Sequence, residues 1–269
     1  MKVIFAILGV TVILYILAIR CRGNHPKMEE LRGWAYAHRG LHGEGVPENS
    51  MEAFRLALEA GYGIELDLHL LKDGNLAVIH DSLLKRTTGA EGHIEDLTTE
   101  ELKNYRLEGT EGVIPQFRDV LDLFGGKAPL IVELKAERGN HAALTEAAVT
   151  MLENYNGAYC IESFDPRCIL WLKKNRPEII RGQLSQNFIK NPEDLSLPLR
   201  VILTNLLTNV ATVPDFVAYC FDHRKDTLSN ALCRKLWGAQ GVSWTLRKKE
   251  DYDQAVKEGL LPIFESFRP

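Results

Sequence analysis

The chain has 269 residues, a net charge of −4, 45% apolar residues and 25% charged ones. That balance gives a large core but no basic surface for a nucleic acid, so no nucleic-acid partner is expected. The five cysteines (Cys21, Cys160, Cys168, Cys220, Cys233) are an odd set with neither metal spacing nor a paired framework, which fits a reducing compartment.

Residues 3–19 form an uncharged, mostly apolar run softened only by Gly9 and Thr11. As a helix the run spans ~26 Å at 1.5 Å per residue, near the short limit for a ~30 Å hydrocarbon core. The rival is a cleaved signal peptide. Leu17-Ala18-Ile19-Arg20-Cys21 lacks the small residues a cleavage site needs, and Arg20 before Cys21 argues against lipoprotein processing. The expectation is an uncleaved, single-pass transmembrane anchor over residues 1–22. Arg20, Arg22, Lys27 and Arg32 follow the run, against Lys2 before it, so the positive-inside rule puts the following domain in the cytoplasm. Residues 23–33 read as a polar linker, and residues 34–269 as one domain.

Within that domain, strand and helix patterns alternate. Residues 34–38 end an apolar run, 48–60 have helical period behind Pro47, and Gly61 and Gly63 stop that helix. A strand over 64–70, a Lys72-Asp73-Gly74-Asn75 turn and a partner strand over 76–80 make a hairpin. After a polar stretch over 82–122, with a short helical piece at 99–105, the strands fall at 130–133, 158–163, 179–184, 216–221, 242–245 and 262–264. Helices fall at 142–154, 166–175, 199–210, 228–237 and 249–258 between them. About eight strands in β-α order predict an α/β fold, a (β/α)8 TIM barrel with 82–122 as an insertion after the second strand.

The chemistry concentrates between Ala37 and Asp81. Side chains alternate along a strand, so Glu65 and Asp67 share one face while Leu66 takes the other. Like charges so placed are costly to bury unless a cation lies between them, and oxygen donors suit a hard divalent ion such as Ca²⁺ or Mg²⁺. A solvent-facing acidic patch on an edge strand reads equally well from spacing alone. His38 and His80 both fall at carboxyl ends of strands, where barrel enzymes build their sites. Each imidazole has an ordinary pKa near ~6.5 and exchanges protons near neutral pH.

The ordered set His38-Arg39-Gly40, Pro47-Glu48-Asn49, Glu65-Leu66-Asp67, Lys72-Asp73-Gly74, His80-Asp81 and Arg86-Thr87-Thr88 resembles the glycerophosphodiester phosphodiesterase family. The likeness continues through Ile114-Pro115, Val132-Glu133-Leu134-Lys135, Ser163-Phe164-Asp165-Pro166 and Trp244-Thr245, covering roughly residues 33–258. It implies a metal-dependent phosphoric diester hydrolase that cleaves glycerophosphodiesters to sn-glycerol 3-phosphate and an alcohol. By the same likeness, Glu65, Asp67 and Glu133 are metal ligands for Ca²⁺ or Mg²⁺, and His38 and His80 the catalytic acid–base pair. Arg39, a planar fork, and Lys135, a point charge, match phosphate-binding positions. Asn49 is expected to hold the loop after His38, and Trp244 to form a pocket wall or lie in the core. The segment 82–122 resembles the family's insertion over the barrel mouth, where head-group selectivity resides.

Three departures bear on substrate choice. Glu265 stands where family members close with an acidic strand end, the usual asparagine is replaced in Thr245-Leu246-Arg247, and Glu162 adds a carboxylate near the mouth. The anchor suggests substrates at a membrane, lysophospholipids included. Two alternatives remain: a phosphatidylinositol-phospholipase-C-like enzyme that forms a cyclic phosphate, and a non-catalytic phosphodiester-binding protein. His25, His42, His93, His141 and His223 read as structural or surface residues; His69 shares the face of Glu65 and Asp67 and could reach the site's edge. The alcohol group and oligomeric state are not encoded legibly.

Overall fold

The computed structural model describes residues 2–269. Eight parallel strands close a barrel: β1 (Tyr36–His38), β2 (Gly63–Leu70), β4 (Leu130–Leu134), β5 (Tyr159–Ser163), β6 (Arg181–Ser185), β7 (Phe216–Cys220), β8 (Gln240–Leu246) and β9 (Leu261–Phe264). β1 pairs with both β2 and β9, which leaves the barrel no free edge. β3 (Leu76–Val78) pairs antiparallel with β2 as the predicted hairpin. The expected (β/α)8 barrel is the fold observed.

Alternation along the strands sorts two cores. Ile64, Leu66 and Leu68 of β2, with Leu130, Val132 and Leu134 of β4, point outward and pack beneath the surrounding helices with Phe54, Phe117 and Leu144. Tyr36, Ile131, Cys160, Phe216, Val242 and Ile263 point inward and fill the barrel. Gly182 of β6 leaves the space that the Phe216 ring occupies; a Cβ there would collide with it. The inward positions one step nearer the carboxyl end are Glu65 and Asp67 on β2, Glu133 on β4 and Glu162 on β5. Strand register sets Asp67 beside Glu133 and Glu133 beside Glu162. A single periodicity thus yields a greasy floor and an acidic ceiling.

The N-terminal segment overturns an expectation. Its helix runs Lys2–Ala18, 17 residues, and no helix among the described residues is long and apolar enough to cross a membrane. At 1.5 Å per residue it measures ~26 Å against the ~30 Å of a hydrocarbon core. Single-pass localisation, membrane partnership through this helix and the cytoplasmic orientation inferred from it therefore fall together. Met1, counted within that anchor, lies outside the described residues. The helix ends on the barrel: the Trp237 indole Nε1 donates to the Ile16 carbonyl at 3.2 Å, and Ile19 and Cys21 are buried among Val217, Tyr219 and Cys233. Arg22 forks onto Asp215 (2.5 and 2.8 Å).

Residues 23–33, read as a linker from their polarity, form a 3-10 helix at Pro26–Leu31 whose Met28 and Leu31 seal the barrel floor. Helix 48–60 is shorter than expected, Met51–Glu59, because Ser50 is its N-cap and accepts from the Ala53 amide. The stretch 199–210 is broken into Leu197–Thr204 and Asn209–Thr212, with Leu206 between them at φ 57°.

Candidate active site

The loop between β1 and the Met51–Glu59 helix shapes the first side of the mouth. Arg39 (φ 54°) and Gly40 (φ 81°) are consecutive left-handed residues that turn the chain back on itself. A Cβ on Gly40 would lie 2.8 Å from the Ala53 Cβ, so glycine is required there. The turn directs the Arg39 amide at a Glu65 oxygen (3.2 Å). Asn49, itself left-handed at φ 52°, donates its amide N–H to the Arg39 carbonyl (2.9 Å). Its side chain donates to Asp67 Oδ2 (2.7 Å). Asn49 thus holds both the loop and a carboxylate.

Glu65, Asp67 and Glu133 are buried and offer one carboxylate oxygen each within 4.8 Å of the others. Lys135 Nζ lies 3.0 Å from Asp67 and 2.7 Å from Glu133, and Arg39 Nε is 3.5 Å from Asp67. Even so, Glu65 Oε1 and Glu162 Oε2 are buried with no hydrogen-bond partner among the described residues, and Asp67 Oδ1 and Glu133 Oε1 share the single Lys135 ammonium. Burial and the neighbouring carboxylates push the Glu65, Glu133 and Glu162 carboxyls above the usual range. Asp67 is held below it: burial opposes ionisation, but Lys135 and Arg39 outweigh it. Burial also opposes the charge on Lys135, yet Asp67 and Glu133 raise its pKa overall. Convergent, under-satisfied, all-oxygen donors fit a hard divalent cation and suit softer metals poorly.

The two histidines flank this triad. His38 Nδ1 lies 2.6 Å from Glu265 Oε2, which leaves Nε2 toward the triad, 3.8 Å from Glu65. Burial lowers the His38 pKa to about 4, against the pull of Glu265. Burial opposes ionisation of Glu265 too, but its bond to His38 and the nearby Arg247 hold it at about 2. His80 Nδ1 lies 2.6 Å from Asp81 Oδ1. Each imidazole thus has a carboxylate behind it that orients the ring and selects the tautomer.

Behind Asp81 runs an ion-pair chain the sequence reading did not assign. Arg86 binds Asp81 and forks onto Glu48 (2.6 and 3.0 Å), and Glu48 in turn accepts from Arg39 (2.9 Å). His69 is buried; it contacts Glu95 (2.5 Å) and the His80 carbonyl (3.1 Å). It therefore supports the His80 turn from behind rather than facing the mouth. The motifs containing Glu48, Asp81 and Arg86 were visible in sequence, but their mutual pairing was not.

A cavity of about 330 Å³ opens over these groups, lined by His38, Arg39, Glu65, His80, Glu133, Lys135 and Glu162, by the apolar Phe164, Leu184 and Trp244, and by the polar Gln186, Asn191, Asp222 and His223. Phe164 packs edge-on against Trp244 at 5.6 Å, so Trp244 is a wall residue continuous with the core. A larger hollow of about 920 Å³ lies between the Met51–Glu59 helix and residues 99–116, and none of the triad or the histidines lines it. Chemistry, not volume, identifies the smaller one.

The chain matches the glycerophosphoryl diester phosphodiesterase family over residues 38–265. It is 32% identical over 237 residues to a glycerophosphodiester phosphodiesterase of Caldanaerobacter subterraneus, covering 83% of this chain and 90% of that protein. Among solved structures, an Oleispira antarctica phosphodiesterase in complex with the product sn-glycerol-3-phosphate superposes with a TM-score of 0.70 at 22% identity, over 86% of this chain and 92% of that one. A glycerophosphodiester phosphodiesterase of Parabacteroides distasonis gives 0.64 at 24% identity, over 86% of this chain and 92% of that one. The chain belongs to the glycerophosphoryl diester phosphodiesterase family.

Proposed function

We propose that this family member hydrolyses glycerophosphodiesters to sn-glycerol 3-phosphate and an alcohol, with His38 and His80 exchanging the protons and Glu65, Asp67 and Glu133 holding Ca²⁺ or Mg²⁺. Family membership makes it a phosphoric diester hydrolase, and the relatives named above carry the glycerophosphodiester assignment. The observation that carries the finer reading is the buried triad of under-satisfied carboxylates between two carboxylate-backed imidazoles.

Arg39 and Lys135 bind the phosphoryl oxygens, the first as a fork and the second as a point charge. One imidazole takes a proton from the attacking water, and the other gives a proton to the alcohol oxygen as the phosphorus–oxygen bond breaks. Glu265 and Asp81 keep the two Nδ1 atoms engaged, so both Nε2 atoms are free for those transfers. The divalent ion, when bound, offsets charge on the phosphoryl oxygens. Phe164 and Trp244 offer the alcohol group an apolar face within a largely polar cavity. No helix among the described residues is long and apolar enough to cross a membrane, so the N-terminal helix gives no reason to favour a lysophospholipid substrate.

The test is release of sn-glycerol 3-phosphate from glycerophosphocholine, glycerophosphoethanolamine, glycerophosphoglycerol and a lysophospholipid, in Ca²⁺, Mg²⁺ or EDTA. Release from a small diester that EDTA abolishes is expected. A cyclic phosphate would point to attack by the substrate's own hydroxyl, and no turnover of any diester would make the chain a binding protein.

A further inference from the structure

A second group of donors meets at the other side of His38. One atom each from His38, His42 and Glu265 lies within 4.8 Å of the others. His42 Nε2 is buried and has no hydrogen-bond partner among the described residues. The three come from separate, well-held places: the end of β1, the following loop and the residue after β9. The loop is pinned by paired backbone bonds between Gly43 and Val46 (2.9 Å each) and by the Leu41 amide on the Ala53 carbonyl (2.9 Å). His42 is therefore presented to His38 by a fixed turn.

We propose that His38, His42 and Glu265 form an inhibitory site for a borderline transition ion, Zn²⁺ above all, separate from the all-oxygen triad. Two imidazoles and one carboxylate with an open fourth position are a tetrahedral Zn²⁺ donor set, whereas Ca²⁺ and Mg²⁺ prefer oxygen. Donor chemistry thus assigns two kinds of ion to the two sides of His38. Zn²⁺ would replace the 2.6 Å contact between His38 and Glu265, tie up an imidazole lone pair and stop His38 from exchanging a proton. The groups facing the site are Glu65, 3.8 Å from His38 Nε2, and Arg247, 3.2 and 3.4 Å from the Glu265 oxygens. The Arg247 side chain is 60% exposed and is free to swing aside when the ion enters. The inhibition rests on the role of His38 given above; the binding does not.

The probes are Co²⁺, whose visible bands report tetrahedral nitrogen and oxygen ligation, and Zn²⁺ added to enzyme saturated with Mg²⁺ or Ca²⁺. The whole chain should show intense tetrahedral Co²⁺ bands that survive Glu133→Gln and vanish in His42→Ala. Half-inhibition of His42→Ala should need at least about tenfold more Zn²⁺, the scale on which losing a metal-site partner acts, while its Zn²⁺-free turnover stays near wild type. His42→Gln repeats the test if alanine lowers the melting temperature. Bands lost in Glu133→Gln but kept in His42→Ala, no tetrahedral bands at all, or equal Zn²⁺ sensitivity in the two proteins would overturn the proposal. If the enzyme proves inactive without Zn²⁺, the functional reading fails while the Co²⁺ bands still decide the site.

Discussion

At the amino end of the barrel, Met28 and Leu31 close the interior over Tyr36, Ile131 and Phe216. At the carboxyl end the same inward-facing rows carry Glu65, Asp67, Glu133 and Glu162. The floor matches apolar surface to apolar surface, and its charged rim is paired, Arg22 on Asp215. The ceiling buries like charges beside one another and leaves oxygens without partners. Burying such groups costs stability unless an ion offsets them. The floor is built for stability and the ceiling carries the proposed chemistry, so substitutions should separate the two.

The largest expected effect is at the ceiling. His80→Ala should lower turnover by about 10²- to 10⁴-fold, the range for a positioned acid or base, and leave the melting temperature near wild type. A variant that unfolds instead would mean His80 is structural, and melting beside kinetics distinguishes the two. The floor should respond in the opposite way. Leu31→Ala removes a fully buried side chain and should cost about 2–5 kcal/mol in urea unfolding, with turnover per folded molecule unchanged.

The ion pairs behind the ceiling respond to pH. Glu48 is driven up by burial but held below its ordinary 4.5 overall by Arg86 and Arg39. A depressed carboxyl contributes stability above its unfolded value and loses it as pH falls through the folded one. Glu48→Gln should therefore be less stable than wild type by about 1–3 kcal/mol at neutral pH. The gap should close below the ordinary carboxylate range, and a gap of constant size from neutral to acid would contradict the charge argument. Lys249→Ala lies outside both ends; its exposed i,i+4 pair with Asp253 should change stability by less than about 0.5 kcal/mol.

Much of this division was legible in the chain. Period-two alternation around Glu65-Leu66-Asp67 and the placing of His38 and His80 at strand ends depend on local geometry, which sequence records. The floor was not legible, because Pro26–Leu31 is polar on one side and its Met28 and Leu31 find partners only on strands far along the chain. Ser50 displaced the expected helix start because Glu48 and Asn49 are used by the site, one by Arg39 and Arg86 and the other by Asp67. The N-terminal run misled for a different reason: its composition is that of a membrane span, but its helix stops at Ala18 and the chain then packs on the barrel. His42 resembled any loop histidine until the fold brought Glu265 to it across the closing seam between β1 and β9.

If the ceiling is built around a cation, thermal unfolding of the whole chain registers that cation without any substrate. Wild type in Ca²⁺ or Mg²⁺ at about 100 times its dissociation constant should gain about 2.7 kcal/mol over EDTA. Glu133→Gln should lose most of that gain while melting at or above wild type in EDTA, because one buried carboxylate has been neutralised. No metal-dependent shift in wild type, or an equal shift in Glu133→Gln, would contradict the account.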